Sequence, residues 1–181
     1  VNHIVDGVVG SAQFTAYENY PMDLWDKEVR VNLTGMMICM KHVAPVMIKQ
    51  KSGSIINVAS VVAHTPTPYC ATYGASKAFL LHWSLALGEE LRGSGVRVVT
   101  LLPGYVATPL TAGNRYPMPF LMSADDFAQQ AFRAIEAGVS ERVIPWPMAL
   151  VAALLKVLPN AWFDRVFAGR GRKQRRHHPG T

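Results

Sequence analysis

Cysteine is nearly absent from this sequence. Two thiols, Cys39 and Cys70, stand in 181 residues, too few for a disulfide framework and without the spacing of a metal-ligand set. The expectation is a chain that folds on its core alone in a reducing, cytoplasmic setting. Charge is scarce as well. Only 17% of residues are Asp, Glu, Lys or Arg against 50% hydrophobic, which excludes an intrinsically disordered chain and leaves material for one globular core. The apolar run from Met148 to Leu158 falls short of the roughly twenty residues that cross a bilayer, so it is not read as a membrane span. No charged opening followed by an apolar core marks a secretory leader, and no internal repeat appears.

Acids are missing altogether from residues 169–181, which hold Arg170, Arg172, Lys173, Arg175 and Arg176. With those five set aside, the rest of the chain carries +1 of the total +6, so the basicity belongs to a tail and no nucleic-acid partner is expected. The tail reads as solvated and disordered. Contact with an anionic membrane is the sharper alternative, with Met148 to Phe167 as the apolar element and Trp146, Trp162 and Phe163 suited to an interface. The preferred reading of that region, 146–168, is a C-terminal helix packed over a pocket or against a second subunit. His177 and His178 read as tail composition.

What the sequence does contain is an ordered set of signals. Tyr73-Gly74-Ala75-Ser76-Lys77 brings a phenol and an ammonium onto one helix face, four residues apart. A nearby ammonium stabilises the phenolate and draws its pKa toward neutrality, which suits a proton shuttle. Thirteen residues upstream, Ser60 closes the run Gly53-Ser54-Ile55-Ile56-Asn57-Val58-Ala59-Ser60, a short buried strand with a hydroxyl at its carboxyl end, where ligands of open α/β sheets bind.

Asp23-Leu24-Trp25-Asp26-Lys27-Glu28 opens a long amphipathic helix, 23–49, with Asn32 in its interior, a poor place for an amide that competes for backbone partners. Strands are expected at 54–59, 96–102 and 142–145, and helices at 73–91 and, capped by Ser123, to Ala137. Pro66 and Pro68 mark a loop. Pro103-Gly104-Tyr105-Val106-Ala107-Thr108 follows the apolar strand Val96 to Leu102, and 110–122, with Pro117 and Pro119, is a candidate lid whose Tyr116, Met118, Phe120, Leu121 and Met122 lean toward an apolar substrate. Strands alternating with helices predict an α/β domain with a parallel sheet covered on both faces, a single unit over 1–168.

This ordered set resembles the short-chain dehydrogenase/reductase family over roughly residues 7–145. The resemblance implies a Rossmann-like doubly wound sheet and an NAD- or NADP-dependent interconversion of an alcohol and a carbonyl. It implies Tyr73 as general acid/base, Lys77 as the group that lowers its pKa and binds the nicotinamide ribose, and Ser60 as donor to the substrate oxygen. Asn32 would hold a water linking Lys77 to solvent. Pro103, Gly104, Val106 and Thr108 would border the nicotinamide. A homo-oligomer built on helices 23–49 and 73–91 is also implied.

Two departures stand out. The glycine-rich turn that opens the family's domain is not seen before residue 30, and the family's Asn-Asn-Ala-Gly element is matched only at the glycine of Ile4-Val5-Asp6-Gly7. The chain therefore reads as the C-terminal part of such a domain. The competing reading is a non-catalytic interaction piece, membrane-peripheral or paired with another subunit.

Overall fold

The computed structural model describes residues 17–65, 70–112, 114, 117–157, 162 and 165. The Ile4-Val5-Asp6-Gly7 match, Pro66 and Pro68, Tyr116, Phe163, Phe167 and the basic tail lie outside the described residues. After a short 3₁₀ turn (Tyr17–Asn19) come helix α1 (Met22–Val29), a π-helical segment (Arg30–Gly35) and helix α2 (Met36–Gln50). Next in the chain are strand β1 (Gly53–Val58), a 3₁₀ turn (Val61–His64), helix α3 (Ala71–Glu90) and strand β2 (Val96–Pro103). Then come β3 (Val106–Ala107), α4 (Pro109–Ala112), β4 (Met122–Ser123), α5 (Ala124–Ala137), β5 (Glu141–Ile144) and α6 (Trp146–Val157).

Among the described residues three strands form a parallel sheet in the order β1-β2-β5. β2 lies in its centre, and side chains alternate across it as the pleat requires. Val96, Val98 and Leu102 join Met36, Met40, Ile55, Leu80 and Leu81 beneath α2 and α3, while Val99 and Leu101 join Ala131, Ala134 and Ile144 beneath α5. A strand buried on both faces has no polar side to show, so β2 reads as an apolar run from Val98 on, its one exposed residue, Arg97, lying at the start of the strand. Thr100, fully buried within it, is the exception.

Local signals set the ends of the elements. Ser123 caps α5 by accepting from the Asp126 amide at 3.0 Å, Asp125 and Asp126 sit at the positive helix start, and Gly138 ends the helix in a left-handed conformation. The turn from α3 into β2 needs Gly95, whose φ is +85°. A Cβ there would overlap the carbonyl of Lys51, the residue that ends α2. The two turns that feed β1 and β2 thus press backbone on backbone.

Strand and helix positions agree with the sequence pattern to within two residues, apart from two regions. The expected single helix 23–49 is helical throughout but passes through the π segment, which holds an extra residue that propensity does not reveal. The expected irregular stretch 110–122 is framed by short structure: α4 at its start and β4 at its end, where β4 pairs with β3 through Val106↔Met122.

Candidate functional site

Parallel register brings two chain ends together at the carboxyl edge of the sheet. Val58 pairs with Leu101, so Ser60 and Pro103 each stand two residues beyond a matched pair, and Pro103 is level with Ile144 of β5. Ser60, extended and buried, caps the 3₁₀ turn by accepting from the Val62 amide at 3.4 Å. α3 packs against that turn, against the π segment and against β2. Tyr73 and Lys77 thus lie on a helix that contacts the elements of both Asn32 and Ser60, with Pro103, Gly104, Val106 and Thr108 on or beyond the adjoining strand end.

Lys77 is the most unusual member. Its side chain is 3% exposed, yet a buried ammonium is costly unless partnered. Its Nζ donates to the Val58 carbonyl at 3.3 Å and lies 5.6 Å from the centroid of the Tyr73 ring. The i,i+4 spacing read from the sequence is thus a real juxtaposition, with the half-buried Tyr73 closer to solvent than the Lys.

Asn32 explains its place in a helix interior through burial and bonding. It is 4% exposed and its Nδ2 donates to Ser76 Oγ at 3.0 Å, while Ser76 Oγ donates to the Tyr73 carbonyl at 2.8 Å. The direct partner of Asn32 is thus Ser76, which stands beside Lys77 in sequence, and its buried Oδ1 has no protein partner. Nothing in the sequence pattern assigned a role to Ser76. It lies one α-helical turn from Tyr73, which in retrospect is the signal.

A second set missed from sequence backs the start of α3. Glu28, 1% exposed, and Tyr20 and Thr72 join through side-chain hydrogen bonds at the Tyr20 hydroxyl. Burial foremost pushes the Tyr20 phenol up to about 12, with the carboxylate of Glu28 adding to it and the Thr72 bond opposing. Burial, helped by the charge of Glu28, likewise pushes the Cys70 thiol up to about 12. Behind β1, Asn57 Nδ2 donates to Ser84 Oγ at 2.8 Å, tying strand to helix α3. His64 meets Glu141 at 2.7 Å, joining the turn after Ser60 to β5.

The other side of the edge is held mainly by backbone. Gly104 N donates to the Ile144 carbonyl at 2.7 Å, and a Cβ on Gly104 would press on Met148 and Pro145 at 3.3 Å, so the turn packs closely against the start of α6. Thr108 N donates to Thr111 Oγ1, which donates to the Val106 carbonyl at 2.7 Å. Met122 N donates to the Tyr105 carbonyl, closing the stretch 110–122 at its base, while Phe120 and Leu121 remain about half exposed. Among the described residues no group of His, Cys, Asp and Glu could hold a metal ion.

The same fold recurs in known proteins. An uncharacterized oxidoreductase of Myxococcus xanthus (strain DK1622) is 36% identical over 163 residues, 88% of this chain and 64% of that protein. The structure of a short chain dehydrogenase from Burkholderia cenocepacia J2315 in complex with NADP superposes with a TM-score of 0.74 at 25% identity, covering 87% of this chain and 64% of that one. The 3-ketoacyl-(acyl-carrier-protein) reductase of Brucella melitensis, complexed with NADH, gives 0.66 at 26% identity over 75% of this chain and 62% of that one. The chain thus spans somewhat under two thirds of the length of these proteins. The family model for short chain dehydrogenases matches residues 2–118, well over half the sequence, and with the parallel sheet and its carboxyl edge this establishes that the chain belongs to the short-chain dehydrogenase family.

Proposed function

We propose that the protein is an NAD- or NADP-dependent oxidoreductase that interconverts an alcohol and a carbonyl. The observation that carries this reading is the buried Lys77 ammonium beside the Tyr73 ring at the carboxyl edge of the sheet. The residues present fit the nicotinamide end of such a cofactor. Lys77 would hold its ribose and Pro103, Gly104, Val106 and Thr108 would border its ring. Among the described residues no glycine-rich turn offers a cradle for the pyrophosphate. When bound, the cofactor supplies or takes up the hydride.

The chain's own residues handle the proton and the oxygen. Tyr73 Oη gives a proton to the carbonyl oxygen, or takes one from the hydroxyl in the reverse direction. Lys77 favours the phenolate by its charge, and burial strengthens that effect because water does not screen it. Ser60 Oγ donates to the same oxygen and fixes the distance to Tyr73. Asn32, through Ser76, holds the backbone carbonyl of Tyr73 and so the first turn of α3 in place. Exposed Phe120 and Leu121 favour a small apolar substrate.

A homo-oligomer is part of the proposal. Met37 and Ile38 on α2 and Phe79 on α3 are 43–49% exposed, an apolar surface suited to helix pairing with a second copy. Light scattering on the protein, with and without Met37→Glu, tests it; a monomer in both cases would refute the pairing.

The decisive experiment measures NAD(H) and NADP(H) binding together with turnover of a panel of small alcohols and carbonyls, with wild type and Tyr73→Phe. Tyr73-dependent turnover supports the enzyme. Oligomer formation with no cofactor binding and no turnover would favour the interaction piece instead.

A further inference from the structure

Helix α6 shows solvent a face with nothing polar on it. Trp146, Leu150, Ala153, Leu154 and Val157 recur at helical spacing and are all exposed, while Met148 and Ala152 on the opposite face are buried. The fractions are large: Trp146 is 68% exposed, Leu150 62%, Leu154 63% and Val157 77%. Trp162, beyond the helix, is 60% exposed. The helix has only twelve residues, too few to cross a bilayer. An apolar stripe of this length is suited to lying flat at an interface.

Charge identifies the occupant. Lys156, Arg165, Arg170, Arg172, Lys173, Arg175 and Arg176 come after Pro145 against the single acid Asp164, a net +6 that equals the charge of the whole chain. The 145 residues before are neutral as a set. An apolar face and a concentrated positive charge, adjacent in sequence, complement a surface that is apolar below and anionic above. A second protein subunit would match the stripe but gives no use for six unbalanced positive charges.

We propose that α6 and the basic segment after it dock the protein on anionic lipid bilayers, with Trp146, Leu150, Leu154 and Val157 inserted at the headgroup level. This inference is independent of the catalytic reading. Neither the sheet nor the carboxyl edge enters it.

Vesicle flotation tests it, using phosphatidylcholine vesicles with and without about 30% phosphatidylglycerol, at about 0.1 M and about 0.5 M salt. The expected result is flotation with anionic vesicles only, weakened about tenfold or more by the higher salt, by Leu150→Glu/Leu154→Glu, and by removal of residues 169–181. A blue shift of tryptophan emission on vesicle addition, lost in Trp146→Phe, locates the contact. Both leucines are exposed, so the double variant keeps its fold, checked by an unchanged melting temperature. Absence of flotation overturns the proposal, as does flotation that survives the double variant or is indifferent to lipid charge. A dimer that the double variant dissociates without lipid, with no vesicle binding in either form, overturns it in favour of a second copy.

Discussion

The two edges of the sheet are built by opposite means. At the amino edge, where β1 and β2 begin, the chain is held by backbone against backbone: Lys51 ends α2 with φ of 53°, and Gly95 presses on its carbonyl. No described titratable side chain there is buried. At the carboxyl edge backbone contacts hold only the Gly104 side, and on the other side buried or half-buried polar side chains cluster: Asn32, Ser60, Tyr73, Ser76 and Lys77. One edge spends its close contacts on shape and the other on chemistry, so damage to each is expected to register in a different measurement.

Four changes bear on that division, from the largest effect to the smallest. Tyr73→Phe removes one hydroxyl at the carboxyl edge and is expected to lower kcat by about 10²–10⁴ with the melting temperature unmoved, by steady-state kinetics and calorimetry on the same preparation. A matching loss of stability would mean that Tyr73 holds the fold. Gly95→Ala attacks the other edge. Left-handed backbone on a non-glycine residue costs about 1–2 kcal/mol and the overlap with Lys51 about as much again, so denaturant midpoints should fall by about 2–4 kcal/mol of stability while activity per folded molecule is kept.

Asn32→Ala probes whether the chemical edge also carries stability. It strips Ser76 of a buried donor at a cost of about 1–3 kcal/mol, and kcat should fall as well because the first turn of α3 loosens. A stability change with kcat intact would confine Asn32 to the fold. The mildest change is pH. The folded state holds the Cys70 thiol up to about 12 from 9.0 and the Tyr20 phenol up to about 12 from 10.0, so both keep their protons after the unfolded chain has lost them. The stability they contribute is complete below pH 9 and is lost as pH rises toward 12. Chemical denaturation between about pH 8 and 10 should show a decline that Cys70→Ala flattens.

Much of this was legible in the sequence because it depends on spacing. Tyr73 and Lys77 share a face by helical arithmetic, Ser60 ends an apolar strand, and the Ser123 cap with its two acids announces α5. Other features depend on partners that no local window contains. Glu28 looks like one more charge near a helix start, and only the structure shows it bonding the Tyr20 hydroxyl together with Thr72, which is 44 positions away in sequence. Ser76 gains its meaning only when the π segment brings Asn32 to it. β3, α4 and β4 have two to four residues each, too few for any period to appear. The outer face of α6 was readable as an apolar run, but only the structure separates its buried side, Met148 and Ala152, from the side turned to solvent.

The π segment at Arg30–Gly35 also acts as an angular offset between two halves of one long helix. Each residue added to a helix turns the half before it by about 100° relative to the half after it. That offset lets the first rod aim Glu28 at the start of α3 while the second aims Met36 and Met40 into the core. Deleting a single residue from 30–35 would leave a more regular helix and a worse protein, because straightening the ladder swings Glu28 out of azimuth with the residues it serves.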